Sequence, residues 1–221
     1  MKIYLGKDEN GQVTTADLRD IKHLLVAGKT GSGKTEFIGA IIRDIIKRYG
    51  SNKVGFCYFS DCWFLLKNEI PIEYRFFGAE KSIAKNEIEA DALLSDVLNE
   101  MHRRIANAWQ NSDYILSFEK SAPEIIMIFD NNAFYYNDKI NEKLAEILKN
   151  GSNAGIHIVF SLQYVLKSDE QKIKLFPSVA CGRLNDEKQS KIILGTGGAE
   201  ELRHFEFILK TPVNCMIKIR R

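Results

Sequence analysis

Eight consecutive residues, Gly28-Lys29-Thr30-Gly31-Ser32-Gly33-Lys34-Thr35, have the types and spacing needed to hold a chain of phosphates. Glycines let a backbone curl until successive N–H groups face one anion. In such a loop Lys34 brings an ammonium to the β- and γ-phosphates, and the Thr35 hydroxyl ligates Mg²⁺. Glycines that merely made a tight corner would leave Lys34 and Thr35 without a reason to follow them. The expected ligands of residues 28–35 are ATP and Mg²⁺.

A second piece of chemistry lies later in the chain. The apolar run EIIMIFD ends in Asp130, at the C-terminal edge of a strand, where ligands of open α/β sheets collect. A carboxylate there is expected to hold the Mg²⁺ shell; the plainer alternative is an aspartate that caps the following turn. Asn131 stands where a glutamate base would normally follow. An amide accepts no proton, and loss of a general base typically lowers a rate by ~10²–10⁴. Nucleotide binding is expected to survive, and turnover to be weakened.

The hydrophobic pattern shows the elements that must position these groups. Residues 1–18 read as a small strand pair turning through Asn10-Gly11. Residues 23–27 form a continuous apolar strand. Phe37, Ile38, Ile41, Ile42, Ile45, Ile46 and Tyr49 make one stripe of a helix over 34–49, which Gly50 ends. The positive dipole end of that helix faces the same anion. KVGFCYF (53–59) reads as a second strand and YRFF from Tyr74 as a third. A long helix over 84–110 turns Leu94, Leu98, Met101, Ile105 and Trp109 inward. Further strands are expected at 125–129, 156–162, VACGRL (179–184) and CMIKI (215–219), with a helix over 140–149 stopped by NGSNAG. Strands apolar throughout and alternating with helices predict an α/β fold, a mostly parallel sheet sandwiched between helices. No linker or repeat divides the chain. Residues 1–221 are therefore expected to be a single domain, with 1–20 as its lead-in strand pair.

Composition narrows the partners. The chain has 221 residues, enough for one large α/β core. Its 31 Lys and Arg against 29 Asp and Glu leave a formal net charge of +2, so a polyanion would have to meet a local patch. Lys210, Lys218, Arg220 and Arg221, with no carboxylate after Glu206, are the candidate. Cys57, Cys62, Cys181 and Cys215 form no CxxC pair and read as reduced thiols rather than zinc ligands. No signal-peptide pattern opens the chain, and no apolar run approaches the ~20 residues that span a bilayer. A cytoplasmic place is expected, with membrane attachment only through a partner or a missing segment.

Taken in order, these motifs resemble the motor domain of the FtsK/SpoIIIE family, ring-forming DNA translocases related to RecA-like ATPases. LGKDENGQVTTADL is similar to the family's lead-in strands and HLLVAGKTGSGKTEF to its Walker A region. EMHRR (100–104) resembles a stretch on its long helix, EIIMIFD its Walker B strand, and ILGTGGAEEL (193–202) its late glycine signature. AGIHIVFSLQ (154–163) looks like its sensor strand. The resemblance makes Gln163 the γ-phosphate-sensing residue and groups it with Lys34 and Asp130 in catalysis. It also implies a RecA-like P-loop NTPase fold, a homo-oligomeric ring with ATP between subunits, and DNA as the moved polymer.

The departures from the family fall where ATP is hydrolysed or where a neighbouring subunit is reached. Asn131 replaces the catalytic glutamate, and Tyr164, Val179 and Lys191 stand where arginines are usual. Ser60-Asp61-Cys62 follows the second strand in place of an acidic residue with Pro-Lys, and RHFEFILKTP replaces a GxGDM stretch. Type VII secretion motors resemble the same family, carry several such domains in a row and often have a degenerate later copy. A secreted protein is thus the alternative cargo, and a multidomain motor the alternative assembly. A third reading is a stand-alone ATP-binding switch.

Other residues carry two readings each. Asp61 stands in for the missing base, as an adjacent-strand residue does in some relatives of this architecture, or is an ordinary loop aspartate. Arg183 is a candidate for reaching a neighbouring subunit's nucleotide. Arg103 or Arg104 could do the same, although surface pairing with nearby acids is simpler. His23 and His157 read as half-buried imidazoles. Phe134-Tyr135-Tyr136 either stack on a partner or pack a loop.

Overall fold

The computed structural model describes residues 1–60, 69–110, 122–130, 137–213 and 216–220. In chain order the elements are β1 (Lys2–Asp8), β2 (Val13–Asp17), α1 (Leu18–Ile21), β3 (Leu24–Ala27), α2 (Lys34–Arg48), β4 (Val54–Phe59), β5 (Ile83–Ala84) and α3 (Glu87–Gln110). They continue with β6 (Glu124–Phe129), α4 (Asp138–Asn150), β7 (Ile156–Leu162), α5 (Glu170–Ile173), β8 (Ser178–Cys181), α6 (Glu187–Leu194), β9 (Glu206–Lys210) and β10 (Ile217–Arg220). The chain gathers into two compact units, Met1–Ile45 with Val159–Arg221, and Ile46–Ile158.

In the first unit the strand order is β2-β1-β10-β9-β8-β3-β7. β3 runs parallel to both neighbours: Leu24 to Ala27 align with Val159 to Leu162 of β7 and with Ser178 to Cys181 of β8. A strand so enclosed is buried at every residue, which is why residues 24–27 are apolar without alternation. Beyond β8 the pairing becomes antiparallel through β9, β10, β1 and β2. α2 buries Phe37, Ile38, Ile41, Ile42 and Ile45. Phe37 meets Phe207 of β9 with ring centres 4.5 Å apart. Each such side chain contributes roughly 1.5–3 kcal/mol on burial, and together they fix where the helix begins.

In the second unit β6, β4 and β5 run in that order and in parallel, with Val54 to Phe59 aligned on Glu124 to Phe129. Phe59 and Phe129 stack at 4.2 Å. α3 starts at Glu87 because Asn86 and Glu89 cap it. Asn86 Oδ1 accepts from the Glu89 N–H at 2.9 Å, and the Glu89 carboxylate accepts from the Lys85 N–H at 2.8 Å. The predicted start at 84 is too early, since Ala84 belongs to β5.

The aromatic run at Tyr74 is not a strand. The Arg75 and Gly78 N–H groups close turns on the Ile72 and Arg75 carbonyls, leaving one parallel bridge from Phe56 to Arg75. Phe76 lies where Gly55 has no side chain; a Cβ on Gly55 would come within 2.9 Å of the Phe76 Cβ. Local turns win over strand propensity here. β9 was not expected from the sequence pattern, and β10 begins at Ile217, whereas Cys215 lies outside the described residues.

Candidate nucleotide-binding site

β3 delivers the chain into the loop at 28–33, and the strands on either side of it pin the root. The Gly28 N–H donates to the Leu162 carbonyl at the end of β7, at 3.1 Å. The Lys29 N–H donates to the Arg183 carbonyl at 2.8 Å, and the Gly182 N–H, just past β8, to the Ala27 carbonyl at 2.8 Å. The Ser32 N–H then donates to the Lys29 carbonyl at 3.1 Å and closes a turn. Two glycines are required by this path. A Cβ on Gly28 would lie 2.5 Å from Ser32 Oγ, and Gly33, at φ +99°, would place one 2.6 Å from the Phe205 ring.

Lys34 opens α2 and is buried, with its ammonium turned onto the loop. Nζ donates to the Gly28 carbonyl at 2.7 Å and to the Lys29 carbonyl at 3.1 Å. Phosphate oxygens would offer the ammonium a full opposite charge in place of carbonyl dipoles. Gln163, the residue after β7, donates from Nε2 to Thr30 Oγ1 at 2.6 Å. Two features named separately from the sequence, the glycine loop with its Lys34 and the later Gln163, are thus brought together. Thr35 lies half-buried in the first turn of α2.

In the second unit Asp130 is buried at the end of β6. Its N–H donates to the Phe59 carbonyl at 3.0 Å, and its Oδ2 accepts from the Tyr58 hydroxyl at 3.2 Å. The Thr35 hydroxyl in the first unit is a hard oxygen donor of the kind Mg²⁺ takes, and the Asp130 carboxylate in the second, taken by itself, is another. Among the described residues no group of three or more His, Cys, Asp or Glu side chains could hold a metal ion. Asn131, Asp61, Cys62 and the Phe134-Tyr135-Tyr136 cluster lie outside the described residues.

The remaining candidates take different places. Arg103 is exposed and pairs with Glu100 at 2.7 Å. Arg104 is no surface residue. Its buried guanidinium donates to Glu100 at 2.6 Å and to the Ala154 and Pro123 carbonyls, both at 3.0 Å, and lies over the Phe76 ring. Burial pushes the Glu100 carboxyl up, but the two guanidiniums outweigh it and hold it below its ordinary range. His157 is fully rather than half buried and pairs with Glu124 at 3.0 Å; His23 is equally buried. The Arg183 side chain is exposed while its carbonyl holds Lys29 of its own loop.

Cys57 and Cys181 are buried thiols, and burial pushes both well above the ordinary range. The basic tail is diluted: Lys218 lies 3.5 Å from both Glu9 and Glu206, and Lys210 donates to the Leu194 carbonyl at 3.1 Å. No described helix is long and apolar enough to cross a membrane. Two residues at the loop have no motif behind them. His204 Nδ1 hydrogen-bonds the Gly31 carbonyl, and the Phe205 N–H donates to the Ser32 carbonyl at 3.4 Å. The one sequence signal for them is that RHFEFILKTP departs from the resembled pattern.

Known proteins resemble this chain in sequence and in fold. The FtsK/SpoIIIE family profile matches residues 1–111. The DNA translocase SpoIIIE of Bacillus subtilis (strain 168) is 27% identical over 246 residues, covering 99% of this chain and 30% of that protein. This chain therefore spans less than a third of that relative. Among solved structures, the pCW3 conjugation coupling protein TcpA, in its monomer form with ATPγS, has a TM-score of 0.77 at 19% identity. That match covers 99% of this chain and 65% of TcpA. Thermomonospora curvata EccC (ATPases 2 and 3), in complex with a signal sequence peptide, has a TM-score of 0.77 at 18% identity, over 99% of this chain and 40% of EccC. The mostly parallel mixed sheet with its helices is the RecA-like P-loop ATPase fold of these neighbours. The chain belongs to the FtsK/SpoIIIE family.

Proposed function

We propose that the chain is an ATP-binding motor module of FtsK/SpoIIIE type, coupling nucleotide binding and slow hydrolysis to the movement of DNA. One observation carries this reading: Lys34 and Gln163 both engage a glycine loop whose root is tied to the strands beside it. The amides of residues 28–35 take the phosphates, and Lys34 leaves the Gly28 and Lys29 carbonyls for the β- and γ-phosphates. Gln163 passes from Thr30 to the γ-phosphate. Thr35 is assigned to Mg²⁺, and Asp130, by its sequence position after β6 alone, to the metal's shell. Mg²⁺ supplies neutralisation of phosphate charge when bound. Asn131 in place of a glutamate base makes hydrolysis slow.

The module is proposed to work as part of a homo-oligomeric ring or a multidomain motor, on the cytoplasmic side, with any membrane attachment made through a partner or a further segment. A second reading, a degenerate ATPase domain that binds nucleotide and a secreted polypeptide without fast turnover, is favoured by the net charge of +2 and by the acidic neighbours of Lys218.

Calorimetric titration with ATP and Mg²⁺ tests the core of the proposal. Lys34→Ala should weaken binding roughly 10- to 100-fold, the loss of a charge-assisted bond of about 1.5–3 kcal/mol. A wild-type protein that binds no adenine nucleotide ends the reading.

A further inference from the structure

A short turn, not part of the glycine motif, grips the loop from outside. The Arg203 N–H donates to the Glu206 carboxylate at 2.9 Å and the Glu206 N–H returns to the Arg203 carbonyl at 3.2 Å, so the turn is closed at both ends. β9 starts at Glu206 and fixes that end in the sheet between β8 and β10. Between these ends Phe205 has the left-handed φ of +64°, a conformation unfavourable for a residue with a Cβ. That conformation is held while the Phe205 ring lies against Gly33 and the His204 ring, 3.8 Å away, packs beside it.

Two carbonyls of the loop are taken by this turn, Gly31 by His204 Nδ1 and Ser32 by the Phe205 N–H. In a trans peptide the C=O and the following N–H point in opposite directions. Anchoring the Gly31 and Ser32 carbonyls outward therefore aims the Ser32 and Gly33 N–H groups inward. The Ser32 N–H so aimed meets the Lys29 carbonyl at 3.1 Å, the acceptor that Lys34 also uses, and it exchanges that carbonyl for the anion when the ligand arrives.

We propose that His204 and Phe205 are positioning residues for phosphate: by holding two carbonyls on the outside of the loop they set the Ser32 and Gly33 amides for the anion. Neither residue touches the phosphate. The inference rests on the nucleotide reading above and adds to it the device that orders the cradle before the ligand arrives.

Calorimetric titrations with ATP and with inorganic tripolyphosphate, both with Mg²⁺, separate the possibilities. His204→Ala should weaken both ligands in equal proportion, about 5-fold, the effect of one ordinary hydrogen bond. Phe205→Ala keeps the main-chain N–H that holds the Ser32 carbonyl and loses only the ring against Gly33, so it should weaken both ligands equally but by less. Asn carries an N–H donor close to where His carries Nδ1, so His204→Asn should stay within about 2-fold of wild type. Amide exchange at Ser32 in the ligand-free protein should quicken in His204→Ala and not in His204→Asn. Should Phe205→Ala not fold, Phe205→Gly, which suits the positive φ, serves in its place. Unchanged affinity, a loss confined to ATP, or failure of His204→Asn to restore binding would each overturn the inference. A wild-type protein that binds neither ligand would instead defeat the nucleotide reading itself.

Discussion

Lys34 and Asp130 are both buried ionisable side chains, and each has neutral partners in its own unit: main-chain carbonyls for the ammonium, a phenol for the carboxylate. On the proposed reading, the residue after Asp130 limits hydrolysis. Replacing Asn131 by Glu should raise ATP turnover by ~10²-fold or more while leaving ATP affinity within a few fold, as measured by phosphate release beside calorimetry. No gain in turnover would show that Asn131 is not what limits hydrolysis. At this scale the loop was legible because GxxxxGK[ST] is a local spacing, and a phosphate cradle is built from consecutive amides. His204 was not, since its bond to Gly31 joins positions far apart in the chain and leaves no period to read.

The elements show what periodicity can and cannot see. β7 occupies the residues predicted for it, 156–162, because a strand buried on both faces is apolar throughout. The run at Tyr74 failed because aromatic content was read as strand, whereas the Pro71 to Gly78 turns decide the path. Arg104 shows a related blind spot, for a charged residue on a helix reads as surface until its carbonyl partners are seen. Arg104→Ala should destabilise by about 3–5 kcal/mol, since Glu100 and two carbonyls lose their donor in a buried place. Arg103→Ala, one residue away and exposed, should change stability by less than about 1 kcal/mol. Denaturant titration of both variants checks this, and equal effects would contradict the burial argument.

Acid should act through the same elements. The Asp17, Glu100 and Glu206 carboxyls lie below their ordinary values: burial raises Asp17 and Glu100 but N–H and guanidinium partners outweigh it, and the Arg203 N–H leads for Glu206. A depressed folded-state pKa gives stability that is complete above the unfolded value and lost as pH falls through the folded one. The melting temperature should therefore hold near neutral pH and drop below about pH 4.5, where the unfolded chain begins to take up protons at these positions and the folded one does not yet. A melting temperature that is flat down to pH 3 would contradict this.

At the scale of the whole molecule, charge bears on the proposed cargo. A chain with nearly balanced charge, whose Lys218 is flanked by Glu9 and Glu206, has little broad attraction for a polyanion. If DNA is the cargo, duplex DNA should bind at low salt and lose affinity steeply as salt rises, with a log–log slope of about −0.9 per phosphate contacted. Absence of binding at low salt, with nucleotide still bound, would move the assignment to a polypeptide cargo.

The last residue of β7 accepts the Gly28 N–H, and the next residue reaches Thr30. Strand and cradle are therefore geared: a slide of β7 along β3 by a fraction of an ångström would drag both ends of the loop's first half at once. On the proposed reading, cleavage of a terminal phosphate would be felt by β7 and β3.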